Sequence, residues 1–228
     1  MQRLSPQGRI SQVHLADIRT LLLSLFQQWG LPFAIRTDNG SPFGVPTRDI
    51  IPIVSLWLIA WGIKPILNRP RRPQDNAKVE RNQGTASRWS EVYSCLDVDS
   101  MQKKLDQIGQ IQRDHYPVKR LGNQTRRKVF PDLYQVKRPF DSDAFDPNKA
   151  YQYLEQAIFP RKVSASGVIS LYNQDFNVGL YYKHQIVKIK FQAKSLSWIA
   201  LDDKNQTIKL WPDDRFSPEN LFNLTVCQ

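Results

Sequence analysis

Leu31-Pro32-Phe33-Ala34-Ile35-Arg36-Thr37-Asp38-Asn39-Gly40-Ser41-Pro42 decides how this 228-residue chain is read. Phe33 to Thr37 is short, partly β-prone and closed off by Asn39-Gly40-Ser41-Pro42, so it predicts a buried strand ending at Asp38. Upstream, Leu15, Ile18, Leu22, Leu25, Phe26 and Trp29 recur at helical spacing. They predict an amphipathic helix from an N-cap at Ser11 to Trp29, stopped by Gly30 and Pro32. Downstream, a buried helix is expected from Arg48 to Trp61, a strand over Lys64 to Leu67, and a helix from Ala77 to Tyr93 after a loop rich in proline and arginine. Helix, strand, helix, strand, helix is the order of an α/β domain with a partly parallel sheet.

Past this stretch the style changes. A helix is expected from Met101 to His115. Pro117 to Pro147 is irregular and basic, with seven Lys/Arg against one acid between Pro117 and Phe140. Tyr151 to Ala157 suits one short helix. Gly167 to Leu171, Phe176 to Leu180, Ile186 to Phe191, Trp198 to Leu201 and Thr207 to Trp211 predict five short strands. Asn173-Gln174-Asp175 and Asp202 to Asn205 supply the turns between them. Strands of this length and spacing suggest a small β-barrel.

Composition narrows the partners. Hydrophobic residues make up 41% of the chain, enough for a core, and the formal net charge is +11. Such a balance points to a polyanion, most commonly nucleic acid, with a membrane surface as the rival. The apolar run Ile50 to Ile63 is broken by Pro52 and Gly62 and is too short to span a bilayer. Met1 to Gly8 is polar, unlike a signal peptide. Cys95 and Cys227 form no CxxC pair and have no histidine cluster beside them, which fits a reducing, cytoplasmic setting.

Two acids stand at positions where chemistry collects. Asp38 closes a strand, and open α/β sheets bind ligands outside the carboxyl ends of their strands. Asp-Asn-Gly is also an ordinary turn. Glu80 follows Pro73-Gln74-Asp75-Asn76-Ala77-Lys78-Val79, one turn into a helix, where a solvated charge is the plain alternative.

Together, Leu31-Pro32, Arg36 to Phe43, Leu58 to Ile63 and Arg72 to Arg81 resemble the catalytic core of DDE-type insertion-sequence transposases and retroviral-type integrases. The resemblance covers roughly Ser11 to Arg88. It implies an α/β fold, a truncated RNase H-like integrase core, followed by a linker and the small all-β barrel. It also implies Mg²⁺ or Mn²⁺ as cofactor, with Asp38 and Glu80 matching the second and third metal-binding carboxylates. Two such ions activate the attacking oxygen and stabilise the leaving oxygen of a phosphodiester, so no Ser, Cys or Tyr nucleophile is required. Arg69, Arg71, Arg72, Asn76, Lys78 and Arg81 are the expected DNA contacts; Lys183, Lys188, Lys190 and Lys194 in the strand-rich region would add to them, with scattered surface lysines as the equal alternative.

The family's first metal-binding Asp has no match. Asp17 is the only acid before Asp38, and the expected helix places it mid-way. The family's His and Thr-Pro after the core are likewise not reproduced around His115 to Pro131. The chain is therefore expected to be an N-terminally truncated transposase or integrase, inactive alone. Its division would be residues 1–93 as partial core, 94–160 as helical and basic linker, 161–214 as barrel and 215–228 as tail. DNA is the expected partner, with self-association or a complementary transposase fragment beside it, no membrane, and a cytoplasmic, nucleoid-associated location. A non-catalytic DNA-binding protein or a partner subunit of a split transposase is the alternative.

Overall fold

The computed structural model describes residues 14–40, 42–44, 50–69, 72–91 and 94–226. In chain order these form α1 (Leu15–Trp29), β1 (Ala34–Thr37), α2 (Ile53–Ala60), β2 (Lys64–Leu67), α3 (Ala77–Ser90), α4 (Val98–Gln110), α5 (Arg126–Val129) and α6 (Pro147–Glu155). There follow β3 (Phe159–Lys162), β4 (Val168–Leu171), β5 (Gln174–Asn177), β6 (Ile186–Gln192), β7 (Ser197–Leu201), β8 (Thr207–Pro212) and α7 (Pro218–Asn223). The chain is mixed α/β with several sheets. Among the described residues no helix is long and apolar enough to cross a membrane.

Two compact units share these elements. The sheet unit takes the described residues up to Leu67 and those from Pro139 onward; the helical unit runs from Asn68 to Arg138. This grouping differs from a division along the chain. Residues 94–138 belong with α3, while residues 139–160 and 215–226 belong with the sheets.

In the sheet unit α1, β1, α2 and β2 follow one another as expected, and β1 pairs in parallel with β2, Ala34 opposite Lys64 and Thr37 opposite Leu67. β1 is half-exposed rather than buried; among the described residues its sheet has two strands, so one edge of β1 pairs with β2 and the other meets no strand. The expected N-cap, Ser11, lies outside the described residues. α1 begins at Leu15, and the carboxylate of Asp17 accepts from the His14 amide (3.3 Å). Asp17 thus sits in the first turn and not mid-helix, close to the positive end of the helix dipole. Gly30, at φ 77°, ends the helix by donating its amide to the Phe26 carbonyl.

α2 is the buried helix, with Ile53 to Leu58 and Ala60 all inside. Trp57 stacks on Phe26 at 5.9 Å and meets Trp61 edge-on at 5.9 Å. Arg48, its expected start, lies outside the described residues. One hydrophobic core runs from these rings through Leu154 of α6 to Val187, Ile189, Phe191 and Trp198 of the antiparallel sheet.

That sheet has the order β3-β6-β7-β8, and β4 and β5 form a separate hairpin. Neither closes into a barrel among the described residues. The five expected strands are present with shifted ends, and β3 is an additional one. Its Pro160 removes a backbone donor, which an edge strand tolerates.

The β4–β5 turn lies at Tyr172-Asn173, one residue earlier than Asn173-Gln174-Asp175. Leu171 pairs with Gln174, and both loop residues have positive φ (50° and 59°). A tyrosine accepts this backbone because its ring is held elsewhere. It packs on Trp198 and Phe216, and its hydroxyl donates to the Ile51 carbonyl (2.8 Å).

Residues 215–226 contribute to the core. Phe216, Leu221, Leu224 and Val226 are buried. The Phe222 carbonyl accepts from Trp57 Nε1 (3.1 Å) and Arg19 Nε (2.8 Å), and the Arg19 guanidinium lies 4.6 Å from the centre of the Phe222 ring.

The helical unit is built differently. α3 and α4 pack on each other, and a π-helical turn, Ile111–His115, continues α4 in place of the single expected helix. Asp97 caps α4 by accepting from the Ser100 amide (2.6 Å). Among the described residues of this unit Ile108 is the one buried apolar side chain, while Leu96 and Leu133 are open to solvent. Sixteen Lys/Arg against eight Asp/Glu give Asn68 to Arg138 eight of the chain's eleven net positive charges.

Candidate functional site

Asp38 follows the last residue of β1 and is exposed. Its Oδ1 accepts from the Gly40 amide (3.0 Å), which folds the chain back at once. The amides of Phe43 and Gly44 both donate to the Gly40 carbonyl (3.0 and 2.9 Å). A Cβ at Gly44 would come within 2.7 Å of the Asn39 backbone, so only glycine fits there. The parallel β1–α2–β2 arrangement therefore presents a carboxylate at the carboxyl end of a strand, on a tightly turned loop.

Glu80 lies in the first turn of α3, exposed, with its amide donating to the Asn76 carbonyl (3.1 Å). Lys78 and Arg81 are exposed on the same turn, and Asn76 is the half-buried N-cap residue. Arg72 is exposed just before this turn. Arg71 lies outside the described residues. Glu80, Arg69, Arg72, Asn76, Lys78 and Arg81 thus gather on one loop and helix start in the helical unit, whereas Asp38 belongs to the sheet unit.

Arg69 has a partner inside this loop. Its Nε and Nη2 donate to the two carboxylate oxygens of Asp75 (3.0 and 2.7 Å), and its amide donates to Oδ2 (3.1 Å). The hydrogen bond to Asp75 raises the guanidinium pKa above its ordinary value. Asp75, whose side chain is only 8% exposed, was not singled out from the sequence. Its signal is an acid six positions after an arginine across a proline-bearing loop.

The lysines of the strand-rich region differ among themselves. Lys188 donates to Asn205 Oδ1 (2.9 Å), Lys190 is half-buried on the outward face of β6, and Lys183 is exposed on the turn before it.

Carboxylate oxygens suit hard cations such as Mg²⁺. Among the described residues, however, no group of three or more His, Cys, Asp or Glu comes together to hold a metal. Asp38 and Glu80 are each, by chemistry, of the kind that such a cation takes as a ligand. No protein-family model matches the chain.

Proposed function

We propose that the chain is part of a DDE-type DNA transposase or integrase, with Asp38 and Glu80 as two of its three metal-binding carboxylates. The observation that carries this reading is Asp38 at the carboxyl end of β1 in a parallel β1–α2–β2 unit, where open α/β sheets place their ligands. The two parallel strands are then a fragment of an RNase H-like sheet. The sheet β3-β6-β7-β8 and the β4–β5 hairpin, packed round one core, are an incompletely closed version of the small barrel. The cations around Glu80 supply phosphate contacts that hold the strand to be cut. Mg²⁺ or Mn²⁺, once bound, supplies the charge stabilisation at the attacking and leaving oxygens. Among the described residues no third carboxylate, His or Cys gathers with these two, so weak activity at most is expected of the chain by itself.

Fe²⁺ in place of Mg²⁺, with peroxide and ascorbate, tests the shared centre without needing activity. Hydroxyl radicals should cut the polypeptide at both Asp38 and Glu80, and Asp38→Asn should abolish both cuts. Cleavage at neither position, or at Glu80 unaffected by Asp38→Asn, overturns the reading.

A second reading keeps DNA binding without catalysis, as a free-standing protein or as the partner subunit of a split transposase. The basic helical unit favours it, as does the two-stranded β1–β2 sheet, whose outer edges meet no further described strand.

A further inference from the structure

The turn before β6 carries apolar and aromatic side chains that nothing in the core requires. Leu180 is 65% exposed, Tyr181 82% and Ile186 66%. The backbone beneath them is nevertheless firmly tied. The amides of Tyr182 and Lys183 donate to the carbonyls of Gly179 and Leu180 (3.2 and 3.1 Å), and the Gln185 amide to that of Tyr182 (3.0 Å). His184, at φ 64°, donates its amide to the Val163 carbonyl (2.9 Å), and the Val163 amide returns the bond to Gln185 (2.9 Å). These bonds fasten the turn to the end of β3, where Lys162 pairs with Ile186. Tyr182 meets Tyr181 edge-on at 5.0 Å and orients its ring. The result is a preorganised tyrosine held out into solvent.

The flanking chain is basic. From Ile158 to Lys190 there are five Lys/Arg and a single acid, Asp175. Asp175 lies on β5, while Lys183 is exposed in the turn and Lys162 is exposed at the end of β3, opposite Ile186. An exposed aromatic face flanked by cations on a rigid backbone suits a ligand that joins a flat π surface to regularly spaced negative charges.

We propose that the Gly179–His184 turn is a contact site for unpaired nucleic acid, with Tyr181 stacking on a base and Lys183 and Lys162 meeting the adjoining phosphates. A base within a duplex has both faces covered, so the protruding ring selects a single strand. The site lies on the antiparallel sheet and uses no carboxylate or metal, so it stands apart from the reading of Asp38 and Glu80.

The test is fluorescence anisotropy of a labelled oligothymidine with the full chain, in EDTA, so that failure of the metal-dependent reading cannot affect it. Tyr181→Ala should weaken binding about 5- to 100-fold, the usual worth of one base–aromatic stack, while Tyr181→Phe stays within about 2-fold. Lys183→Ala should reduce the slope of log affinity against log salt by about 0.7, one single-strand phosphate contact. Tyr181 is exposed, so an unchanged melting temperature will exclude a folding effect. Equal binding by the native chain and Tyr181→Ala overturns the proposal. So does a Tyr181-dependent attachment to anionic vesicles, or a Tyr181-dependent self-association, without a matching effect on the oligonucleotide.

Discussion

Arg69 grips both carboxylate oxygens of Asp75 with its guanidinium while its own backbone amide donates to one of them. A bidentate pair with an added backbone bond fixes the loop's entry relative to the start of α3, and with it the turn that carries Glu80, Lys78 and Arg81. Asp75→Asn should keep the shape and lose the charge. Amide exchange from Arg72 to Glu80 is expected to quicken several-fold, with little change in the unfolding midpoint. Unchanged exchange there would show that the loop is held by other means.

Leu224, Leu221 and Phe216 are wholly buried although they lie in the last residues described. Leu224→Ala should cost about 2–5 kcal/mol, the range for an aliphatic side chain removed from a packed core. The readout is the urea midpoint of the full chain, followed by tryptophan emission, since Trp57 and Trp198 report on the same core. A cost within measurement error would mean that this segment does not complete the core.

Tyr151 donates its hydroxyl to the Phe216 carbonyl (2.6 Å), and burial pushes its pKa up to about 12 from 10.0. A raised folded pKa means that the fold favours the protonated phenol. Its contribution is therefore complete below pH 10 and is lost as pH climbs through about 12. Denaturant midpoints across that window should fall more steeply for the native chain than for Tyr151→Phe. Parallel curves would remove Tyr151 as the source.

The exposed cations of the helical unit make a separate prediction about duplex DNA. Affinity should drop steeply with salt, and each of Arg72→Ala, Lys78→Ala and Arg81→Ala should lower the slope of log affinity against log salt by about 0.9 if it neutralises one phosphate. The loss should be similar for unrelated sequences, because phosphate contacts carry no base information. Arg69→Ala should have a smaller effect, because Asp75 already offsets its charge.

Catalysis supplies the sharpest comparison. Purified chain with Mg²⁺ should neither nick DNA nor join strands, and Mn²⁺ should yield a trace at most, since two carboxylates hold such ions loosely. Robust cleavage that vanishes in Glu80→Gln would show that another residue provides the third ligand.

The stretch from Leu15 to Leu67 was legible because its signals are local. Helical periodicity in α1, a glycine stop at Gly30, a dense apolar run in α2 and turn chemistry at Asp38-Asn39-Gly40 each act within a few residues. Asp38 at a strand end followed from the same signals. The role of Asp75 did not, because an ion pair between Arg69 and a later acid depends on how the loop folds back.

What the sequence determined alone is therefore the α/β order of elements, the parallel pair β1 and β2, the placement of two acids on a strand end and a helix start, and a strongly basic character. Tertiary structure alone decided which of these meet. It drew residues 215–226 into the core, made an edge strand of Phe159–Lys162 despite Pro160, and set the hairpin turn at Tyr172. Propensity disfavours a tyrosine at positive φ and a proline in a strand. Both are accepted where distant partners outweigh the local cost: Ile51, Trp198 and Phe216 hold Tyr172, and the ladder to β6 holds β3. Such contacts join residues far apart in the chain, and no window of neighbouring residues contains them.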